Sequence, residues 1–293
     1  MEVFIAQLMN GLALGSIYIL LATGFNLMLL VARIVQFAYP HIVVLSMYAC
    51  WETLRLTDNN IILAIFVCIA TAVLLNVLTQ PIFHRVMSRR GVDINASFVV
   101  SMGMAMVITE VMSHQFNYGF PIAFPEAWMG KGTFIRIGLI TLSKGQVYAL
   151  SGGIFFVSAF FYLLYRTKQG RAFRAVAEDS YAARLVGIPI MRTGIYSYTI
   201  AGLLGGLIAL LLSMLLGSAS PWLGDFVALK VIAVCIVAGL GNLKGGLICG
   251  LLLGVAEGMV VGYFPGSWSN AIAFIMMLLI ILIKPQGLFG LRI

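Results

Sequence analysis

Two carboxylates, Glu110 and Glu257, fall inside runs that are otherwise apolar enough to cross a membrane. A charge at that depth is costly, so each should face the protein interior or a wet cavity, where it can relay protons or fix neighbouring helices by hydrogen bonds. Glu110 and His114 share a helix face at four-residue spacing, but His41, His84 and His114 are far apart in sequence, and two ligands do not make a metal site. No metal role follows, and the pair reads as polar packing. Asp225 and Lys230 flank the start of a later apolar run and read as markers of its interface. A P-loop needs Gly-Lys followed by Ser or Thr, so that amides, lysine and hydroxyl converge on phosphate and magnesium; Gly130-Lys131-Gly132-Thr133 fails that test. Gly239-Leu240-Gly241 begins a dinucleotide fingerprint, but Lys244 stands at the third glycine position and no βαβ pattern surrounds it. With no convergent nucleophile, base or metal set, a membrane-embedded enzyme is the weakest reading and no cofactor is expected on this chain.

The elements that carry these residues belong to a membrane. With 61% hydrophobic residues, 10% charged and a mean hydropathy of +1.05, 293 residues lack the polar surface to cover a water-soluble globule. Apolar runs of about 20 residues recur along nearly the whole chain without a period of two, so the class is all-α and polytopic, one domain over 1–293, rather than a barrel. The net charge of +8 collects in a few connecting loops and reads as a topology determinant, not as a nucleic-acid surface. Cys50, Cys68, Cys235 and Cys249 sit in apolar segments without metal-ligand spacing and read as packing residues. The start, MEVFIAQLMNG, has an acid where a signal peptide carries bases, so the first span is expected to be retained.

About 8–10 transmembrane helices are expected. The first runs from Phe4 to Leu30 and contains Asn26 and a Gly11/Gly15 pair suited to close helix approach. From Gln36 to Trp51 the apolar run opens QFAYPH, and Pro40 implies a kink or a broken helix, an arrangement that lines pathways at membrane depth. Gln36, Tyr39 and His41 therefore join Asn26, Glu110 and Glu257 as candidates for a substrate pathway. Further spans are read at Ile61–Phe83, Ile94–Phe116, Val147–Tyr165, Gly194–Leu216 and Phe226–Leu240. His84, Arg85, Arg89 and Arg90 mark a cytoplasmic loop, and the long 117–144 connection is external. GLGNLKGG is either a tight cytoplasmic turn or a re-entrant loop. Glycines 246, 250, 254, 258 and 262 follow at a step of four, each step turning about 400°, so the stripe should wind slowly round its helix. A last span, Ser269–Ile283, ends at Lys284 and Arg292, which place the C-terminus in the cytoplasm; nine crossings counted back place the N-terminus outside.

One stretch interrupts the oil. Residues 166–192, RTKQGRAFRAVAEDSYAARLVGIPIMR, hold six of the eighteen Lys and Arg residues plus Glu178 and Asp179. From Arg171 to Val186 there is no Gly or Pro, and Gly187 and Pro189 follow, the pattern of one short helix with a stop signal. Arg171, Arg174, Glu178 and Tyr181 fall on one polar side, with Ala172, Val176 and Ala183 elsewhere. The stretch is either an ordinary solvated loop or the place where a soluble partner grips.

Four segments in order resemble the permease subunits of ABC importers of the branched-chain amino acid type, the LivH/LivM family. They are GLALGSIYILLATGFNLM from Gly11, GRAFRAVAEDSYAARLVGI from Gly170, GLGNLKGGLICGLLLGVAEG from Gly239 and KPQGLFG from Lys284. The resemblance implies an ABC importer permease fold in a bacterial inner membrane. Its partners would be two ATP-binding cassette subunits that hold ATP and magnesium, a second permease subunit that is a related chain or a second copy, and a periplasmic substrate-binding protein. It makes the 166–192 stretch a coupling helix, with Gly170, Arg171, Arg174, Glu178, Asp179, Arg184 and Gly187 at the ATPase contact. Where the family usually carries Asn-Phe-Ala-His-Gly, this chain reads Gln36-Phe37-Ala38-Tyr39-Pro40, with His41 one place later. Relatives of the family carry branched-chain and other amino acids, urea, short amides and aromatic acids. A proton-coupled secondary transporter working through Glu110 and Glu257 is the alternative from another class.

Overall fold

The computed structural model describes residues 2–87, 94–125, 128, 133–137, 140–266, 268–284 and 286–289. Arg89, Arg90, Gly130, Lys131, Gly132 and Arg292 lie outside the described residues, as do the side chains of His84 and Arg85. Among the described residues, nine helices of 16 to 31 residues make the bundle: α1 Glu2–Ala32, α2 Tyr39–Leu56, α3 Ile61–Met87, α4 Ile94–Gln115, α5 Lys144–Arg166, α8 Ile190–Leu216, α9 Leu223–Ala238, α10 Leu243–Tyr263 and α11 Trp268–Ile283. Six of them, α1, α3, α4, α5, α8 and α10, are long and apolar enough to cross a membrane. Between α5 and α8 lie two short polar helices, α6 Lys168–Glu178 and α7 Ser180–Leu185.

α1 is the most enclosed span, and its most extensive contact is with α10. The reason is the glycine stripe. A Cβ on Gly11 would lie 2.8 Å from the Gly254 carbonyl oxygen, and one on Gly258 would lie 2.6 Å from the Gly11 Cα, so the two backbones touch. Glycines 246, 250, 254, 258 and 262 face α1 in turn at Asn26, Ile19, Gly15, Gly11 and Gln7. The stripe winds, as its step predicts, and α1 follows it. A repeat of four exceeds 3.6 residues per turn, and keeping contact over four steps requires the antiparallel pair to coil in the right-handed sense.

The bundle has a basic end and an opposite end. At the basic end the last turns of α1 and α5 meet α6, the tight 239–242 turn and the tail 286–289. There Arg33 Nη2 approaches the Ala177 carbonyl at 3.5 Å, while Leu288 and Phe289 donate backbone N–H groups to Val237 and Ala238 at 2.7 and 3.3 Å. The tail thereby satisfies the last carbonyls of α9. GLGNLKGG is thus a turn and not a re-entrant loop: Asn242 caps α10 by accepting from Gly245 N at 2.9 Å, and Asn26 Oδ1 accepts from Gly241 N at 3.2 Å. At the opposite end, β1 Ile122–Ala123 pairs antiparallel with the two residues Ser218–Ala219 after α8, and Thr133–Ile137 forms a hairpin with Ile140–Ser143. Trp51 donates to the Ala123 carbonyl at 3.0 Å and Trp128 to Ser213 Oγ at 3.0 Å, fastening the connection to α2 and α8.

Candidate functional site

Three features carry the polar chemistry: an unwound entry to α2, a buried ion pair on α9 and α10, and the α6–α7 surface. The broken helix expected at Pro40 is present, but the break precedes the proline. Arg33 adopts φ 54°, residues 33–38 run without helix, and α2 begins at Tyr39 with Pro40 in its first turn. Proline is at home there, because its absent N–H would have had no intrahelical partner. The Tyr39 hydroxyl donates to the Ala201 carbonyl of α8 at 3.2 Å, and its ring lies against Gly24 of α1. Gly24 lies eight residues, about 12 Å, above the basic end of α1, and Ala201 eleven residues, about 16 Å, above that of α8. α2 therefore starts near half depth. Non-helical backbone is tolerated at that depth only where protein covers it. Here Ile34, Gln36 and Ala38 are buried, Ala38 N donates to Ser101 Oγ at 3.0 Å, and Gln36 Nε2 donates to Thr79 Oγ1 at 3.1 Å.

Around this entry several buried polar atoms have no protein partner among the described residues: Gln36 Oε1, Asn76 Oδ1, Tyr198 Oη and, nearer the 239–242 turn, Asn26 Nδ2. One turn into α2, His41 is fully buried between Phe37, whose carbonyl lies 3.3 Å from Nδ1, and Asp225, whose Oδ1 lies 3.0 Å from Nε2. The Asp225 side chain is 48% exposed. Asp225 is thus the partner that fixes His41, rather than an isolated interface marker.

Lys230 also differs from its reading as an interface marker. It is buried on α9 and paired with Glu257 of α10, its Nζ meeting Oε1. The Tyr18 hydroxyl of α1 donates to Glu257 Oε2 at 2.6 Å, Ser269 Oγ of α11 donates to Oε1, and Lys230 Nζ reaches the Tyr18 oxygen at 3.3 Å. Four helices thus converge on one carboxylate. Glu257 faces the interior as its type demanded, and Lys230 supplies the cation it needs. Glu110 does not join them: its side chain is 67% exposed on α4 and, among the described residues, pairs with His114 alone, at 2.8 Å. Of the pathway candidates, Asn26, Gln36, Tyr39, His41 and Glu257 are internal and Glu110 is on the outer face of the chain.

The basic stretch folds as two helices, not one. Asp179 breaks the run at φ −146°, ψ 108°, and its carboxylate caps α7 by accepting from Tyr181 N at 2.7 Å and Ala182 N at 3.1 Å. Aspartate prefers this local bond to a place inside a helix. Thr167 caps α6 by accepting from Gly170 N at 3.1 Å, and Gly170 lies directly on the Leu163 and Leu164 carbonyls, leaving no room for a side chain. α7 ends in a Schellman arrangement, with Ile188 N donating to Ala183 O and Gly187 N to Arg184 O at φ 84°. Gly170, Asp179 and Gly187 therefore shape the unit. Phe173, Val176 and Ala183 bury its inner side, and Arg171, Glu178 and Arg184 are exposed. Arg174 is exposed as well, and its guanidinium carbon lies 5.0 Å from the centre of the Tyr165 ring. Charge-based reading missed the apolar part of the surface, for Tyr181, Leu185 and Val186 are each over 70% exposed. The visible signal was LV at the end of α7, beyond its buried side.

A family model described as "Branched-chain amino acid transport system / permease component" matches residues 7–281. The chain belongs to this family. The permease is 25% identical over 296 residues to the high-affinity branched-chain amino acid transport system permease protein BraD of Pseudomonas aeruginosa, covering 98% of this chain and 96% of that one. It is 23% identical over 297 residues to the LivH protein of the same description from Escherichia coli K12, again over 98% and 96%. In fold it is similar to a chain of PsaBC from Streptococcus pneumoniae in complex with Fab, with a TM-score of 0.50 at 12% identity, over 97% of the permease and 91% of that chain. The permease family is the one to which the four ordered segments pointed, and their residues occupy the α1–α10 seam, the α6–α7 unit and the 239–242 turn.

Proposed function

We propose that this permease is the membrane-spanning subunit of an ATP-driven importer for an amino acid, branched-chain or a comparably small polar organic solute. ATP and magnesium belong to two partner ATPase subunits in this reading, a second permease subunit completes the pathway, and a periplasmic binding protein delivers the solute. The basic end, with the C-terminus, faces the cytoplasm of a bacterial inner membrane. The observation that carries the reading is the α6–α7 unit. It is capped at each break and anchored to α5 through Gly170, yet it presents a mixed surface of Arg171, Glu178, Arg184, Tyr181, Leu185 and Val186 to the aqueous side. A loop with no partner has no reason to be rigid and to leave three large apolar side chains facing water. Force applied there passes through α5 and α8 into a bundle whose α2 starts at half depth. The unpartnered Gln36, Asn76 and Tyr198 atoms then suit a solute with its own hydrogen-bonding groups.

Reconstitution of the permease with candidate ATP-binding cassette subunits and a candidate binding protein tests this. Uptake is expected to require ATP and to persist after a proton gradient is collapsed; uptake driven by the gradient alone, without an ATPase, overturns the reading. Leu185→Asp and Glu178→Arg, at exposed positions, are expected to leave the folded yield unchanged and to lower uptake at least about tenfold, equivalent to about 1.4 kcal/mol of docking. Normal transport by both variants would remove the docking assignment.

A further inference from the structure

Beside the α6–α7 unit lies a cleft of about 760 Å³ at the basic end, bounded by the ends of α1 and α5, by α6, and by the 239–242 turn with the start of α10. Two cations share one aromatic ring in it. Arg174 lies 5.0 Å and Lys244 5.7 Å from the centre of Tyr165, both within cation–π range. Neither has a carboxylate partner among the described residues. Both positive charges thus stand without a counter-ion, and Lys244 lies in the first turn of α10, whose positive end adds to the attraction for an anion.

Below the cations the walls are apolar. Leu240 is 63% exposed, and Leu243 and Phe289 continue the surface toward the last turns of α1 and α5. Those turns belong to membrane-length helices, so the cleft opens where acyl chains give way to headgroups, and Tyr165 occupies the depth at which aromatic residues gather. An acidic loop of a soluble protein would satisfy Arg174 and Lys244 but would have to enter the membrane to cover the last turns of α1 and α5. A phospholipid satisfies both at once.

We propose that the cleft lined by Arg174, Lys244 and Tyr165 is a binding site for an anionic phospholipid, its phosphate between the two cations and its acyl chain along Leu240 and Leu243. The site takes no part in solute recognition. It couples the leaflet at the basic end to α6, because Arg174 stands on that helix.

The test uses the full-length permease in a neutral detergent, with unfolding followed by tryptophan fluorescence against added short-chain phosphatidylglycerol, phosphatidylcholine or inorganic phosphate. Phosphatidylglycerol at a hundredfold excess over its Kd is expected to raise the Tm by roughly 5 °C, and the other two to leave it unchanged. The double variant Arg174→Gln/Lys244→Gln is expected to unfold at the wild-type Tm in phosphatidylcholine and to lose the phosphatidylglycerol shift. The charge-preserving Arg174→Lys/Lys244→Arg keeps most of it, which separates lost binding from lost folding. Equal shifts with phosphatidylcholine, an equal shift with inorganic phosphate alone, or a full shift in the double glutamine variant would each overturn the proposal. So would an effect of that variant confined to ATPase binding.

Discussion

Gly254→Val is expected to leave less than about a tenth of the wild-type yield of monodisperse permease in size-exclusion chromatography. Gly254 sits where α10 crosses the Gly11–Gly15 turn of α1, and a Cβ there would collide with the Gly15 backbone and the Gly11 carbonyl. The colliding atoms are main chain, so no rotamer relieves them and the helices must move apart. The seam they would open is the largest in the molecule, and overpacking of even small groups in a tight core costs typically 1–3 kcal/mol. In a bilayer the loss is not offset by a hydrophobic force between helices, since lipid is as apolar as the side chains. Gly246→Ala serves as a control on the same stripe. Its nearest neighbours, Asn26 Nδ2 and Ala22 Cβ, are at ordinary contact distance, 3.5 and 3.8 Å, and near-normal yield is expected. Gly103→Ala on α4, with nothing within 4 Å, should stabilise by up to about 1 kcal/mol through helix propensity. Equal behaviour of the three variants would mean that the α1–α10 contact does not hold the bundle together.

That seam was legible as a period, because a step of four glycines has one physical use in a membrane and the sequence carries its partner glycines at 11 and 15. Span boundaries were legible for the same reason, and α3 starts at the expected Ile61. Other features needed three dimensions. Without Gly or Pro, 171–186 reads as one helix; the break rests on Asp179, whose side chain competes for backbone N–H groups that a propensity sum assigns to the helix. The apolar run opens at Gln36 with Pro40 implying a break inside it, yet the unwinding runs from Arg33 to Ala38 and is held by Ser101 and Thr79, which are distant in sequence. Lys230 was read as an interface marker because a lysine near the start of an apolar run usually snorkels. It does not: on the 16-residue α9 it stands beside Glu257 and Tyr18, which hold its ammonium inside the bundle.

Lys230→Met and Glu257→Leu are each expected to destabilise the permease by about 3 kcal/mol or more, and the double variant to recover most of that loss. Breaking a buried pair leaves one uncompensated charge, which costs more than the pair itself contributes, whereas replacing both members by apolar groups is often neutral. Among the described residues, in Lys230→Met the carboxylate keeps the hydroxyls of Tyr18 and Ser269, and in Glu257→Leu the ammonium keeps the oxygen and ring of Tyr18. The measurement is the unfolding midpoint of each single and of the double in one detergent, read as a double-mutant cycle. Additive losses would show that the two groups do not stabilise one another and that each is held by other partners. Glu110→Gln completes the comparison. Its carboxylate is exposed and, among the described residues, bonded to His114 alone, so the change is expected to stay within about 0.5 kcal/mol. The two acids that looked alike in sequence therefore separate by what surrounds them. Glu110 lies on the outer face of α4, while Glu257 joins α1, α9, α10 and α11 at one point. A transport cycle that moves α9 against α10 has to lengthen or break that junction. The same cycle run on uptake then reports whether the pair acts only as a clamp: restored uptake in the double variant is expected if it does, and stable protein without uptake if the charges themselves serve the solute.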